Sequence, residues 1–168
     1  LPLGKALTMD FGGEPAVLFK TTRPKTPSGK VELKSDYLAK KYNAPLPTFT
    51  ALNDPYPLTL ISPSSDQRTT STFGGLSASD EAWIDMHPDD AATRGLRDGE
   101  LVRVWNDLGE VRLPLRVTDS IRPGVVCSFK GLWMRTSDNG QTVSALAPAT
   151  KADICEGACY NDARVEIQ

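Results

Sequence analysis

The stretch "LRDGELVRVWNDLGEVRLPLRV", residues 96–117, has a period that decides the fold. Val111, Leu113, Leu115 and Val117 fall on every second position, with Arg112, Pro114 and Arg116 between them. Alternation at period two puts one face on a core and the other in water, which is a strand and not a helix. Leu101, Val102, Val104 and Trp105 form a second strand-like run, and "NDLG" between the two runs is a tight turn. Asp98-Gly99 turns the chain into the first run. Pro114 has no N–H for a ladder and predicts an edge or bulge position.

The pattern repeats outward. "IRPGVVCSF" (121–129) reads as a turn and a strand, and "ARVEI" (163–167) as a last strand. Before the hairpin, "HPDDAATRG" reads as a short helix. Pro88 suits a first helical position, Asp89 and Asp90 favour the positive end, and Gly95 stops it. His87, the only histidine, falls at the helix start, where capping is the expected role. Leu58 to Ile61 is a further strand, and it runs into residues 62–71, which hold no large apolar side chain. Short strands at close spacing with one small helix predict a compact barrel rather than a parallel α/β sheet.

Residues 1–54 differ in composition, being rich in Pro, Lys and Thr. "AVLFK" (16–20) and "KVELKS" (30–35) predict short strands about the turn-forming "TPSGK", and "DYLAKKY" (36–42) predicts a helix. The proline cluster "APLPTFTALNDPYP" reads as an extended connection. The expected division is therefore a lead-in over 1–54 and a barrel domain over 55–168.

The 168 residues suffice for one domain with a real core, and 39% are hydrophobic. A net charge of −2 offers no basic stripe for a nucleic-acid backbone. No apolar run is long enough for a membrane span. The first twenty residues lack a secretory signal pattern, so a cytoplasmic location is expected, and the opening reads as part of a longer chain. Three cysteines without a CxxC spacing predict neither a disulfide framework nor a zinc ribbon.

The order of pieces is more specific than any one of them. It runs strand, "ISP", polar loop, "STFGG", then "IDMHPDDAATRGLRDGELVRVWNDLGEVRLPLRVTDSIRPGVV". "GLW" follows, then "TVSALAP" and "ADICEGACYNDARVEI". This order resembles the C-terminal molybdopterin-dinucleotide-binding domain of the dimethyl sulfoxide reductase family of molybdenum and tungsten oxidoreductases. The lead-in "KTPSGKVELKS" is similar to the segment preceding that domain. The resemblance implies a mainly β fold, a six-stranded double-psi β-barrel of the aspartate-decarboxylase-like kind with short helices. It implies molybdopterin guanine dinucleotide as cofactor, with Mo or W held mainly by other domains. The implied partners are the remaining domains of one oxidoreductase subunit. No catalytic residue or metal ligand is expected in this chain, and the chain alone is expected not to turn over.

The same resemblance assigns cofactor contacts to Ser62, Ser64, Ser65, Gln67, Arg68, Thr70, Ser71 and Thr72 in the polar loop. It adds Lys130, Gly131 and Trp133 after the 121–129 strand, then Ser144, where the family usually writes Asn, and the group Tyr160, Asn161 and Asp162. The chemistry suits these types. Hydroxyls and amides supply neutral donors and acceptors for a pterin or guanine edge, and one guanidinium matches a phosphate. Gly131 would let the backbone approach a ligand closely. A rival reading from another class is a non-catalytic double-psi barrel that serves as a partner-binding module or accessory subunit.

Overall fold

In this computed structural model the described residues are 12–65, 69–72, 82–154 and 156–168. The chain divides into two compact units, Leu1–Thr50 and Ala51–Gln168. In the second unit the elements are β1 (Leu58–Ile61), β2 (Ile84–Met86), α2 (Pro88–Arg94), β3 (Leu101–Asn106), β4 (Gly109–Val117), β5 (Val125–Cys127) and β6 (Arg164–Ile167). One helix, α1 (Asp36–Tyr42), belongs to the first unit.

The hairpin forms as its period dictates. Val102 faces Leu113, Val104 faces Val111, and Asn106 faces Gly109 across the turn. Val111, Leu113 and Leu115 are buried while Arg112, Pro114 and Arg116 are exposed. The six strands close into a barrel in the order β1-β5-β2-β4-β3-β6. β1 lies parallel to β5 and β2 parallel to β4, and the other pairings are antiparallel. This is the expected six-stranded, mainly β barrel. Its interior is filled by Leu58, Leu60, Ile84, Met86, Val104, Val126, Val165 and Ile167 among others, all almost fully buried. Each such side chain contributes about 1.5–3 kcal/mol of transfer free energy.

Pro114 lies within β4, pairs with Leu101 of β3 on one side, and stands at a local edge on the other. Leu115 donates its N–H to Glu100 O at 2.7 Å, so the adjacent Pro114 faces the other side. On that side β2 begins only opposite Leu115. The missing N–H falls where no strand partner has started.

β2 has no counterpart in the sequence reading. All three of its residues are buried, Asp85 included. Asp85 is tolerated there because Arg116, its register partner on β4, donates Nη2–H to Oδ2 at 2.8 Å and Nε–H to Oδ1 at 2.5 Å. The Arg116 guanidinium also lies 4.5 Å from the centre of the Trp83 ring.

α2 has the caps its sequence announces. His87 Nδ1 accepts from Asp89 N at 3.2 Å, and Gly95 ends the helix at φ +67°. In the first unit α1 spans the expected residues, capped by the Ser35 hydroxyl and by Asn43 at φ +53°. The two strands expected at 16–20 and 30–35 do not form. Residues 16–22 make a turn with one isolated bridge, Leu18 to Thr22, and Phe19 takes φ +67°. Among the described residues of this unit no named strand offers a ladder, and an unpaired strand has nothing to hold it extended.

Candidate functional site

β1 and β5 end side by side, with Ile61 opposite Cys127. The two chains continue together beyond the barrel. Ser128 donates its N–H to Ile61 O at 3.1 Å, and Lys130 donates its N–H to Pro63 O at 3.0 Å. The stretch 128–133 is thus laid along the polar loop that follows β1. Gly131, at φ +89°, comes against the loop so closely that a Cβ there would lie 1.9 Å from Thr70 O. Trp133 donates its indole N–H to Ser71 O at 2.7 Å. Arg135 stacks on the far side, its guanidinium 3.9 Å from the Trp133 ring centre.

A second wall comes from the turn Val143–Leu146. Asn106, at the end of β3, holds it. The Asn106 amide donates to Leu146 O and to Arg164 O, each at 3.0 Å, and its oxygen accepts from Leu108 N at 2.9 Å. One side chain therefore ties the hairpin, this turn and the start of β6 together. Gly109 lies beneath, where a Cβ would stand 3.3 Å from Ala145 O. A turn at 159–162, with Asp162 N donating to Cys159 O at 3.0 Å, brings Tyr160 to the same end of the barrel.

These segments enclose a pocket of about 340 Å³. Leu60, Val143, Ala147 and Ala163 form its apolar lining, and Ser62, Lys130, Ser144 and Tyr160 its polar one. The side chains of these four polar residues make no hydrogen bond or ion pair with the described residues. Their donors and acceptors therefore stand open toward the pocket.

Four sequence-predicted residues from four separate stretches thus meet here. The others are placed differently. Ser64 is exposed and Ser65 half-buried in the loop. Thr70 and Ser71 meet the 131–133 segment through backbone atoms, and Thr72 closes a local turn onto Thr69 O. Gly131 and Trp133 fasten that loop. Gly131 makes its close backbone approach to Thr70. Asn161 is exposed and Asp162 lines another cavity, of about 210 Å³, beside Tyr56, Asp107 and Arg164. Gln67 and Arg68 lie outside the described residues. Asn106 was missed by the sequence reading. Its only signal there is "NDLG", which reads as a turn and gives no hint of the distant carbonyls it reaches. A wider hollow of about 470 Å³, lined by Trp83, Arg112 and Arg135 among others, includes none of the sequence-predicted residues.

Near these walls, Cys127 is half-buried, and burial first, then the Asp85 carboxylate, pushes its thiol up to about 11. It is no nucleophile at neutral pH. The Tyr56 hydroxyl donates to Asp107 Oδ1 at 2.6 Å, which pushes it up to about 12. Among the described residues no group of three or more His, Cys, Asp or Glu could hold a metal ion. No helix among them is long and apolar enough to cross a membrane.

Residues 58–164 match the family described as the Molydopterin dinucleotide binding domain. The chain belongs to that family. The match begins with β1 and ends with the first residue of β6, so it spans the barrel and the pocket. Dimethyl sulfoxide reductase DmsA of Escherichia coli (strain K12) is 32% identical over 170 residues, covering 85% of this chain and 21% of that protein. DmsA of Haemophilus influenzae is 30% identical over 169 residues, covering 86% of this chain and 21% of that protein. The chain therefore spans about a fifth of the length of the curated relatives it matches. Acetylene hydratase from Pelobacter acetylenicus superposes with a TM-score of 0.69 at 21% identity, over 84% of this chain and 24% of that one, which shows a shared fold.

Proposed function

We propose that the barrel holds one end of a molybdopterin guanine dinucleotide in the 340 Å³ pocket, as the cofactor-binding domain of a larger oxidoreductase subunit. The observation that carries this reading is the set Ser62, Lys130, Ser144 and Tyr160. They come from four separate stretches, line one cavity, and their side chains have no hydrogen-bond or ion-pair partner among the described residues.

The donor set fits the group. Ser62, Ser144 and Tyr160 offer hydroxyls that both donate and accept, as a heterocycle with adjacent donors and acceptors requires. Lys130 is the one cation among the described lining residues and suits a phosphate oxygen. Leu60, Val143, Ala147 and Ala163 give a flat ring an apolar bed. When bound, the metal and its pterin dithiolenes supply two-electron chemistry on a small substrate, and the protein orients and tunes them. This chain's own part is to bind, to hold residues 69–72 in place through Gly131 and Trp133, and to keep Lys130 near the phosphates. The relatives named dimethyl sulfoxide reductases make a sulfoxide the first substrate class to assay.

The test uses the full-length subunit. Ser62→Ala, Lys130→Ala, Ser144→Ala and Tyr160→Phe are made singly and together, and bound pterin and metal are measured after purification. The combined variant is expected to lose most of its cofactor, with Lys130→Ala the largest single loss. An Arg112→Ala variant in the other hollow serves as control. Full cofactor occupancy in the combined variant would refute the assignment.

A further inference from the structure

β4 keeps a stretch of open edge. On its side away from β3, β2 begins only opposite Leu115. Further back along β4 a side chain stands in for a strand. Arg112 donates its N–H to Asn139 Oδ1 at 3.4 Å, and Asn139 donates its amide to Glu110 O at 3.3 Å. The hollow of about 470 Å³ draws its lining from each of these pieces. Trp83 precedes β2, Arg112 and Pro114 belong to β4, Arg135 and Asp138 precede Asn139, and Leu101 comes from β3. The volume falls among those of small-molecule sites, about 300–1,000 Å³. Pro114 brings no N–H to this edge, and with Leu101 and the Trp83 ring it makes an apolar bed. The Trp83 ring is held in place, with the Arg116 guanidinium 4.5 Å from its centre and the Phe129 ring nearly perpendicular at 6.0 Å. Its indole N–H is buried without an acceptor among the described residues, which leaves an unmet donor in the wall.

The charges of this lining are unspent. Arg94, Arg103 and Arg116 are each paired with a carboxylate. The side chains of Arg112 and Arg135 make no hydrogen bond or ion pair with the described residues. Arg135 lies 3.9 Å from the centre of the Trp133 ring, which steadies the guanidinium and leaves its fork of N–H donors unused. Such a fork matches a carboxylate by two parallel bonds. Asp138 on the same wall sets a limit, because it repels each added negative charge and so favours a monoanion over a phosphate dianion. We propose that the hollow is a second small-molecule site, which takes an organic monocarboxylate with a flat apolar body. The carboxylate meets Arg112 and Arg135, and the body lies on Leu101, Pro114 and Trp83. This goes beyond the cofactor reading and does not rest on it.

The experiment is calorimetric titration of the full-length subunit with three probes: 2-naphthoate, its neutral amide 2-naphthamide, and inorganic phosphate. Naphthoate is expected to bind about tenfold more tightly than either of the others, since the amide lacks the charge and phosphate lacks the body. Arg112→Ala and Arg135→Ala are each expected to weaken naphthoate about tenfold, with urea midpoints confirming that both variants are folded. Arg112→Lys and Arg135→Lys keep the charge, lose the fork, and are expected to fall between. Asp138→Asn removes a repulsion and is expected to tighten naphthoate, an effect that a merely structural Asp138 would not produce. Lys130→Ala, in the first pocket, is expected to leave naphthoate binding as it was. Failure of naphthoate to bind, equal binding of the amide, or binding unchanged in both arginine variants would each overturn the proposal. Loss of naphthoate in Lys130→Ala instead would put the ligand in the first pocket and overturn it too.

Discussion

The Cβ that Gly131 lacks would sit 1.9 Å from the carbonyl oxygen of Thr70. The loop after β1 and the segment after β5 are therefore in backbone contact, and only glycine fits between them. Both the position and the φ of +89° exclude a side chain. Gly131→Ala is expected to push residues 69–72 away and to cost about 3 kcal/mol in strain and overpacking. Urea unfolding of wild type and variant measures the cost, and an unchanged midpoint would contradict it.

Trp133 fastens the same loop through its indole N–H. Trp133→Phe keeps an aromatic ring beneath Arg135 and deletes the N–H that reaches Ser71 O. The expected cost is about 0.5–1.5 kcal/mol. Hydrogen exchange should show faster exchange at Thr72, whose N–H is bonded to Thr69 O, with no change across the β3–β4 ladder.

Asn106 bonds two carbonyls with one amide. Asn106→Asp keeps the shape, removes both donors, and sets a carboxylate against Leu146 O and Arg164 O. A loss of about 2–4 kcal/mol is expected, larger than for Asn106→Ala, because unpaired buried acceptors are added to lost bonds. Denaturant midpoints of the two variants decide the order.

Cys127 sets a pH dependence. Its folded thiol titrates near 11 against an ordinary value of 9.0, because burial and Asp85 disfavour the thiolate. The folded chain therefore binds this proton more tightly than the unfolded one. Stability from this source is complete below pH about 9 and falls as the pH rises towards 11. Tyr56 titrates in the same direction at higher pH, so the measurement compares wild type with Cys127→Ser. The variant is expected to lose less stability between pH 9 and 11, and identical curves would exclude the thiol.

The sequence speaks clearly where one element carries its own pattern. The hairpin is legible because its burial alternates within nine residues, and α2 because Pro88 and Gly95 bracket it. β2 is not legible. Ile84, Asp85 and Met86 are all buried, so no alternation exists, and Asp85 looks misplaced until Arg116 is set beside it. The runs 16–20 and 30–35 mislead for the opposite reason, since their β-forming residues have no strand to pair with. At the site, the family resemblance named Ser62, Lys130, Ser144 and Tyr160, which the structure brings to one pocket, and gave no hint that Gly131 meets Thr70. It also grouped Asp162 with Tyr160, although their side chains serve different cavities. Which way a turn residue points, and what backbone lies across from it, depends on contacts sixty or more positions away.

The order of strands has one more consequence. β6 lies between β1 and β3, and Val165 faces Leu58 across more than a hundred residues. Until β6 has been synthesised, β1 and β3 each present an open edge, and the barrel is an unclosed, curled ribbon. Such distant pairing folds slowly, and bare edges invite pairing with other chains. A chain that lacks Arg164–Ile167 would therefore leave both edges open to pairing with other chains.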